Sequence, residues 1–146
     1  MSVLYADTSA ILRAYFADEQ EHETLRSQLL EGDEPVVTSE VTRLEVASAA
    51  NASARAGRIA DPGVVLAAFD ADCGDDGPIT LLALEPRDAL TRAVDLVQQQ
   101  RLRSLDAIHV AVALSVVHLV AAEDLSFVTR DHAQGVAATA LGLTVR

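Results

Sequence analysis

The sequence holds 146 residues, half of them apolar, with 22 acids against 11 bases for a net charge of −11. That length predicts one domain with a sizeable core, and the hydrophobicity excludes an intrinsically disordered chain. Every base is arginine, so a broad basic surface that neutralises nucleic-acid phosphates is excluded, unless carboxylates hold divalent cations that reverse the local sign.

In chain order, residues 2–6 (SVLYA) form an apolar strand ending on Asp7. Thr8 and Ser9 open a helical pattern over residues 10–17, and an acidic stretch at 18–23 leads into a second helix that ends near Gly32. Residues 35–38 (PVVT) read as a buried strand. Ser39 is placed as the N-cap of a long alanine-rich helix that runs to Arg55 and stops at Gly57. Asp61 and Pro62 start a helix that continues through residues 64–72, residues 74–78 (GDDGP) form a loop, and residues 79–84 (ITLLAL) give a third strand. From Pro86 a helix with 3.6-residue periodicity carries Leu90, Ala93, Val94 and Val97 on one face. Ser104 caps a helix over residues 105–116, residues 127–129 form a strand, residues 131–141 a helix and residues 142–145 a last short strand.

The strands are short and apolar without a period-two pattern, as expected when helices cover both sheet faces. The expected fold is therefore a single α/β domain over residues 1–146, with a mostly parallel central sheet of four to five short strands flanked by helices. No apolar run reaches bilayer-spanning length, and the N-terminus lacks the pattern of a signal peptide. With Cys73 the single cysteine, no internal disulfide is available, and the expected compartment is the cytoplasm.

Ligands of open parallel sheets collect at the carboxyl ends of the strands. Four acids fall at such places: Asp7 after the first strand, Glu45 within TRLEVASA, Asp106 within RSLDAIHVA, and Asp131 after FVTR. Glu45 and Asp106 lie in apolar sequence, where an unpaired carboxylate is costly to bury. Converging carboxylates repel unless they are protonated or bridged by a cation. Such a set suits a hard ion with oxygen ligands, Mg²⁺ or Mn²⁺, which activates water for in-line attack on phosphorus. Each acid also has a plain structural reading. Asp7 and Asp131 serve equally as helix caps, Asp106 favours a helix N-terminus, and Glu45 suits a surface. His109, on the same helix face as Asp106, has the chemistry to orient a water or a phosphate, but reads first as a packed structural histidine.

The strings VLYADTSAILRAYF, TSEVTRLEVASA, RSLDAIHVAVAL and FVTRDHAQGVAATALGLTV resemble, in order, the four acidic motifs of PIN-domain nucleases, and most closely single-domain VapC-type toxins. The resemblance spans residues 2–145. It implies that Asp7, Glu45, Asp106 and Asp131 are the metal-binding and catalytic acids. It also implies that Ser9 and Thr129, with Thr8, are supporting hydroxyl residues. The stretch between Asp106 and Asp131 is longer than the family pattern, so Glu123 and Asp124 stand as alternatives to Asp131. The implied activity is a Mg²⁺- or Mn²⁺-dependent endoribonuclease, the toxin of a toxin–antitoxin pair. An RNA substrate, a cognate antitoxin and a homodimer follow as implied partners, with no membrane. Arg13 and Arg130 are candidate contacts for RNA phosphates. The alternative is a catalytically inactive PIN-like module that only binds protein. A receiver domain is set aside because its chemistry needs a lysine and the chain has none.

Overall fold

A computed structural model describes residues 2–146. Five strands form one sheet: β1 (Val3–Ala6), β2 (Val36–Ser39), β3 (Ile79–Leu82), β4 (Leu125–Val128) and β5 (Thr144–Val145). Seven α-helices connect them: α1 (Thr8–Tyr15), α2 (His22–Leu30), α3 (Val41–Arg55), α4 (Pro62–Asp72), α5 (Pro86–Gln99), α6 (Ser104–Val116) and α7 (His132–Ala140). A short 3₁₀ turn, Ala122–Asp124, precedes β4. All strand pairs are parallel, in the order β3-β2-β1-β4-β5. Among the described residues no helix is long and apolar enough to cross a membrane.

The strand order decides where a ligand is met. The chain steps outward from β1 to β2 and β3, then returns across the molecule to place β4 on the other side of β1. The connections on either side of β1 therefore diverge, which opens a crevice beyond the carboxyl ends of β1 and β4. Side-chain alternation splits the core in two. Leu4, Ala6, Val36 and Val128 pack with Ile11, Leu25, Leu29, Val46 and Phe69 from α1 to α4. Val3, Tyr5, Leu125 and Phe127 pack with α5, α6 and α7. Both sheet faces are covered, which accounts for strands that read as unbroken apolar runs.

Three local expectations shift. Strand β4 begins at Leu125 rather than at residue 127. Ser39 ends β2 instead of capping α3; its Oγ accepts from the Val41 N–H at 3.3 Å, while Glu40 takes the cap position. In α5 the residues that bury are Ala89, Ala93 and Leu96, whereas Leu90, Val94 and Val97 remain 45–58% exposed. The alanines let α5 approach α6 closely, so the apolar stripe is wider than the face the core consumes.

Aromatics are few, and those in the core carry a large share of its packing. Tyr5 and Phe127 stack across the β1–β4 ladder with centroids 5.4 Å apart and planes at 8°. Phe127→Ala is expected to destabilise the fold by about 3–5 kcal/mol. Leu119→Ala, at an 81% exposed position, should shift stability by less than about 0.5 kcal/mol. Chemical denaturation of both variants against the parent checks this ordering.

Candidate active site

Asp7 leaves β1 at the crevice and turns directly into α1. Its backbone is extended, and its Oδ1 accepts from the Ala10 N–H at 3.0 Å, which makes it the N-cap. The same oxygen accepts from Ser9 Oγ at 2.8 Å, and Oδ2 accepts from Thr129 Oγ at 2.6 Å. Asp7 is 0% exposed. Burial pushes its carboxyl above the usual range, opposed by the hydrogen bonds from Thr129, Ala10 and Ser9 and by the nearby His109. Thr129 reaches it because β4 runs parallel to β1 with Ala6 opposite Val128.

Asp131 follows Thr129 and caps α7 by accepting from the Gln134 N–H at 2.9 Å. Thr129 Oγ accepts in turn from the Asp131 N–H at 3.0 Å. The Gln134 side chain then donates from Nε2 to Asp106 Oδ1 at 3.0 Å, while Arg103 Nε donates to Asp106 Oδ2 at 3.2 Å. A continuous line of hydrogen bonds thus joins Asp7, Thr129, Asp131, Gln134 and Asp106. Glu45, in the second turn of α3, joins from the other side. Its Oε1 accepts from Thr8 Oγ at 2.8 Å and lies 2.7 Å from His109 Nε2. His109 holds the Glu45 carboxyl below the usual range against the opposing effect of burial, which is the larger single influence on that group.

All four expected acids therefore sit at the carboxyl edge of the sheet. Glu123 and Asp124 do not, because they precede β4 whereas Asp131 follows it; the strand between them spans roughly 13 Å at 3.3 Å per residue. Arg13 and Arg130 both pair with Glu21, at 3.2 and 2.8 Å. Gln134 and Tyr5 had drawn no attention in the sequence. Tyr5 carries a legible signal, since strand alternation puts residues 5 and 7 on one side. Gln134 carries a weaker one, as the single polar residue in the buried stripe of α7.

The donor chemistry fits a hard divalent cation. A carboxylate has about four acceptor sites. Asp7 uses three of them, Glu45 and Asp106 two each, and Asp131 one. The buried Gln134 Oε1 has no hydrogen-bond partner. Among the described residues no three histidine, cysteine, aspartate or glutamate side chains already stand close enough together to share one ion. The acids are gathered by intervening hydroxyls and amides rather than by direct contact.

A buried carboxylate with a raised pKa weakens the fold while it is charged. Above the raised value the parent bears that cost; as pH falls through it, the group protonates and the cost disappears. Asp7→Asn keeps the Oδ1 acceptor without the charge. In chelator the variant should melt at or above the parent temperature at neutral pH, with the difference shrinking in acid. Melting curves at the two pH values check the sign.

No curated protein sequence matches the chain. Its fold matches that of several known structures. One is a toxin–antitoxin complex from Klebsiella pneumoniae, 20% identical with a TM-score of 0.57, covering 89% of this chain and 87% of that one. Another is VapC20 of Mycobacterium tuberculosis, described as a Sarcin-Ricin loop cleaving toxin, 17% identical with a TM-score of 0.66 over 97% and 96% of the two chains. VapBC-1 from nontypeable Haemophilus influenzae is 15% identical with a TM-score of 0.63 over 99% and 96%. Likeness at these identities speaks for the fold. The sequence pattern of the PIN domain matches residues 4–139, nearly the whole chain, so this chain belongs to the PIN domain family.

Proposed function

We propose that the chain is a Mg²⁺- or Mn²⁺-dependent endoribonuclease that acts as the toxin of a toxin–antitoxin pair. The observation that carries this reading is the line of hydrogen bonds that brings Asp7, Asp131 and Asp106 together beyond β1 and β4, with Glu45 tied in through Thr8. Four acids at one topological switch point, one of them the buried carboxylate of Asp7 with no arginine paired to it, are poor for stability and apt for holding cations. A divalent ion, when bound, supplies an activated water and offsets negative charge on the phosphate and leaving oxygen.

The chain's own residues supply the rest. Asp7, Glu45, Asp106 and Asp131 have acceptor capacity left for the ion. Ser9 and Thr129 hold Asp7 in place, and the Ser9 hydroxyl also accepts from the Arg130 N–H at 2.8 Å, which anchors the loop after β4. Arg103, whose side chain is 85% exposed beside Asp106, is placed to meet an RNA phosphate. Toxin–antitoxin complexes among the structural neighbours support a cognate antitoxin that covers this crevice. The exposed Leu90, Val94 and Val97 stripe of α5 supports self-association as a homodimer.

Cleavage of a structured RNA should proceed with Mn²⁺ and stop in chelator. Its fragments should carry 5′-phosphate and 3′-hydroxyl ends, because water rather than the ribose 2′-hydroxyl is the nucleophile. Cyclic-phosphate ends, or cleavage that persists in chelator, overturn the reading. Asp7→Asn and Asp106→Asn should each lose on the order of a hundredfold or more in rate, since each 1.4 kcal/mol is about tenfold and a catalytic ion contributes several. Glu45→Gln should lose a comparable or somewhat smaller factor. Single-turnover rates at fixed Mn²⁺ measure all three.

A further inference from the structure

Glu45 is fixed by groups that the reading above leaves without a role. His109 lies on α6, one turn beyond Asp106, and is 1% exposed. Its Nε2 stands 2.7 Å from Glu45 Oε1, and its Nδ1 stands 3.0 Å from the Tyr5 hydroxyl. The direction of the first bond follows from charge. An ionised carboxylate only accepts, so the proton is on Nε2 and His109 donates. That holds for the neutral ring protonated at Nε2 and for the charged ring alike.

Tyr5 is itself immobile. It is wholly buried in β1, the central strand, flanked by β2 and β4, and its ring stacks on Phe127 while meeting His109 edge-on. Burial keeps its phenol protonated well above the usual range. Thr8 donates to the same Glu45 oxygen, so Oε1 receives two donors from the interior. Among the described residues, no hydrogen bond falls on Oε2. A flexible glutamate on the second turn of a helix is thereby pinned by one oxygen, with its side chain only 23% exposed. Partners at both ring nitrogens satisfy the buried imidazole and at the same time fix its orientation, with Nε2 turned onto Glu45.

We propose that His109 and Tyr5 are positioning residues for Glu45: the Tyr5–His109–Glu45 chain of hydrogen bonds holds Oε1 inside and leaves Oε2 to ligate a divalent cation. This inference rests on the metal reading given above. Interactions behind a metal ligand commonly alter affinity by about 10–100-fold when removed.

The test is Mn²⁺ affinity, read by titration of the whole chain with the free ion followed by electron paramagnetic resonance. Two substitutions divide the ring's functions. His109→Gln extends an amide to the position of Nε2 and keeps a donor for Glu45, whereas His109→Asn is too short to reach it. The Asn variant should bind Mn²⁺ about tenfold or more weakly and the Gln variant within about threefold of the parent. In a Glu45→Gln background, His109→Asn should cause no further loss. Nitrogen-15 spectra of labelled histidine in the metal-free parent should show His109 protonated at Nε2. The inference is overturned if the parent binds Mn²⁺ but the Asn variant keeps its affinity, if Gln fails to rescue, or if Asn costs as much in the Glu45→Gln background. Should the Asn variant lose its native melting transition, Tyr5→Phe decides instead. It removes one hydroxyl and keeps the stacked ring, and unchanged Mn²⁺ affinity there, or an unprotonated Nε2 in the parent, also overturns the inference. A Glu45→Gln variant that binds as well as the parent overturns the inference alone, whereas a parent that binds no Mn²⁺ overturns the metal reading along with it.

Discussion

The carboxylate of Asp7 is closed off from solvent at the one point where the sheet changes direction, and much of the surrounding architecture is arranged to make that tolerable. An ionised group in such a place costs several kcal/mol unless donors surround it. The donors come from two separate stretches of chain. The first turn of α1 gives a backbone N–H, Ser9 gives a hydroxyl two residues away, and Thr129 gives another from 122 residues further on. None of these is a cation. The carboxylate is therefore stabilised by dipoles and kept short of positive charge. That is the condition under which a divalent ion binds the folded state and stabilises it by mass action.

The same economy of positive charge runs over the surface. Eleven arginines face 22 acids, and many of them are already engaged. Arg43 makes a two-pronged contact with Asp70, Arg58 holds Asp18 and Glu19, and Arg146 holds Glu34. Exposed pairs of this kind contribute little stability, about 0–1 kcal/mol each. They do consume cations that would otherwise attract a polyanion. Arg13 and Arg130 are drawn onto Glu21. In the proposed function the attraction for RNA comes from the ion and from a few arginines such as Arg103. Affinity for substrate is then tied to occupancy of the acidic site.

Much of this was legible along the chain. The short apolar runs followed by helical periodicity gave the α/β class, because a parallel sheet covered on both faces has no polar side to alternate with. The acids were legible as well: Asp7 stands directly after β1 and Asp131 three residues after β4, and Glu45 and Asp106 fall in stretches rich in alanine, valine, leucine and isoleucine. Local signals misled in two places. The periodicity of α5 marked a stripe containing Leu90, Val94 and Val97 that the core leaves exposed, since amphipathicity reports that a face is apolar and not what covers it. Ser39 had the chemistry of an N-cap, yet the β2–β3 ladder extends through it, pairing Ser39 with Leu82.

By itself the sequence determined which residues have the chemistry and at which strand ends they fall. Those are properties of residue type and of short-range periodicity. Tertiary structure decided which acids share a site and what lies behind them. Glu123 and Asp124 are as acidic as Asp131, and only the course of β4 carries them to the opposite edge of the sheet. His109 and Gln134 gained their partners through separations of 64 and 28 residues. Such pairings are fixed by strand order and by how α6 and α7 lie across the sheet, and no local pattern encodes a contact between side chains that meet only when the fold closes.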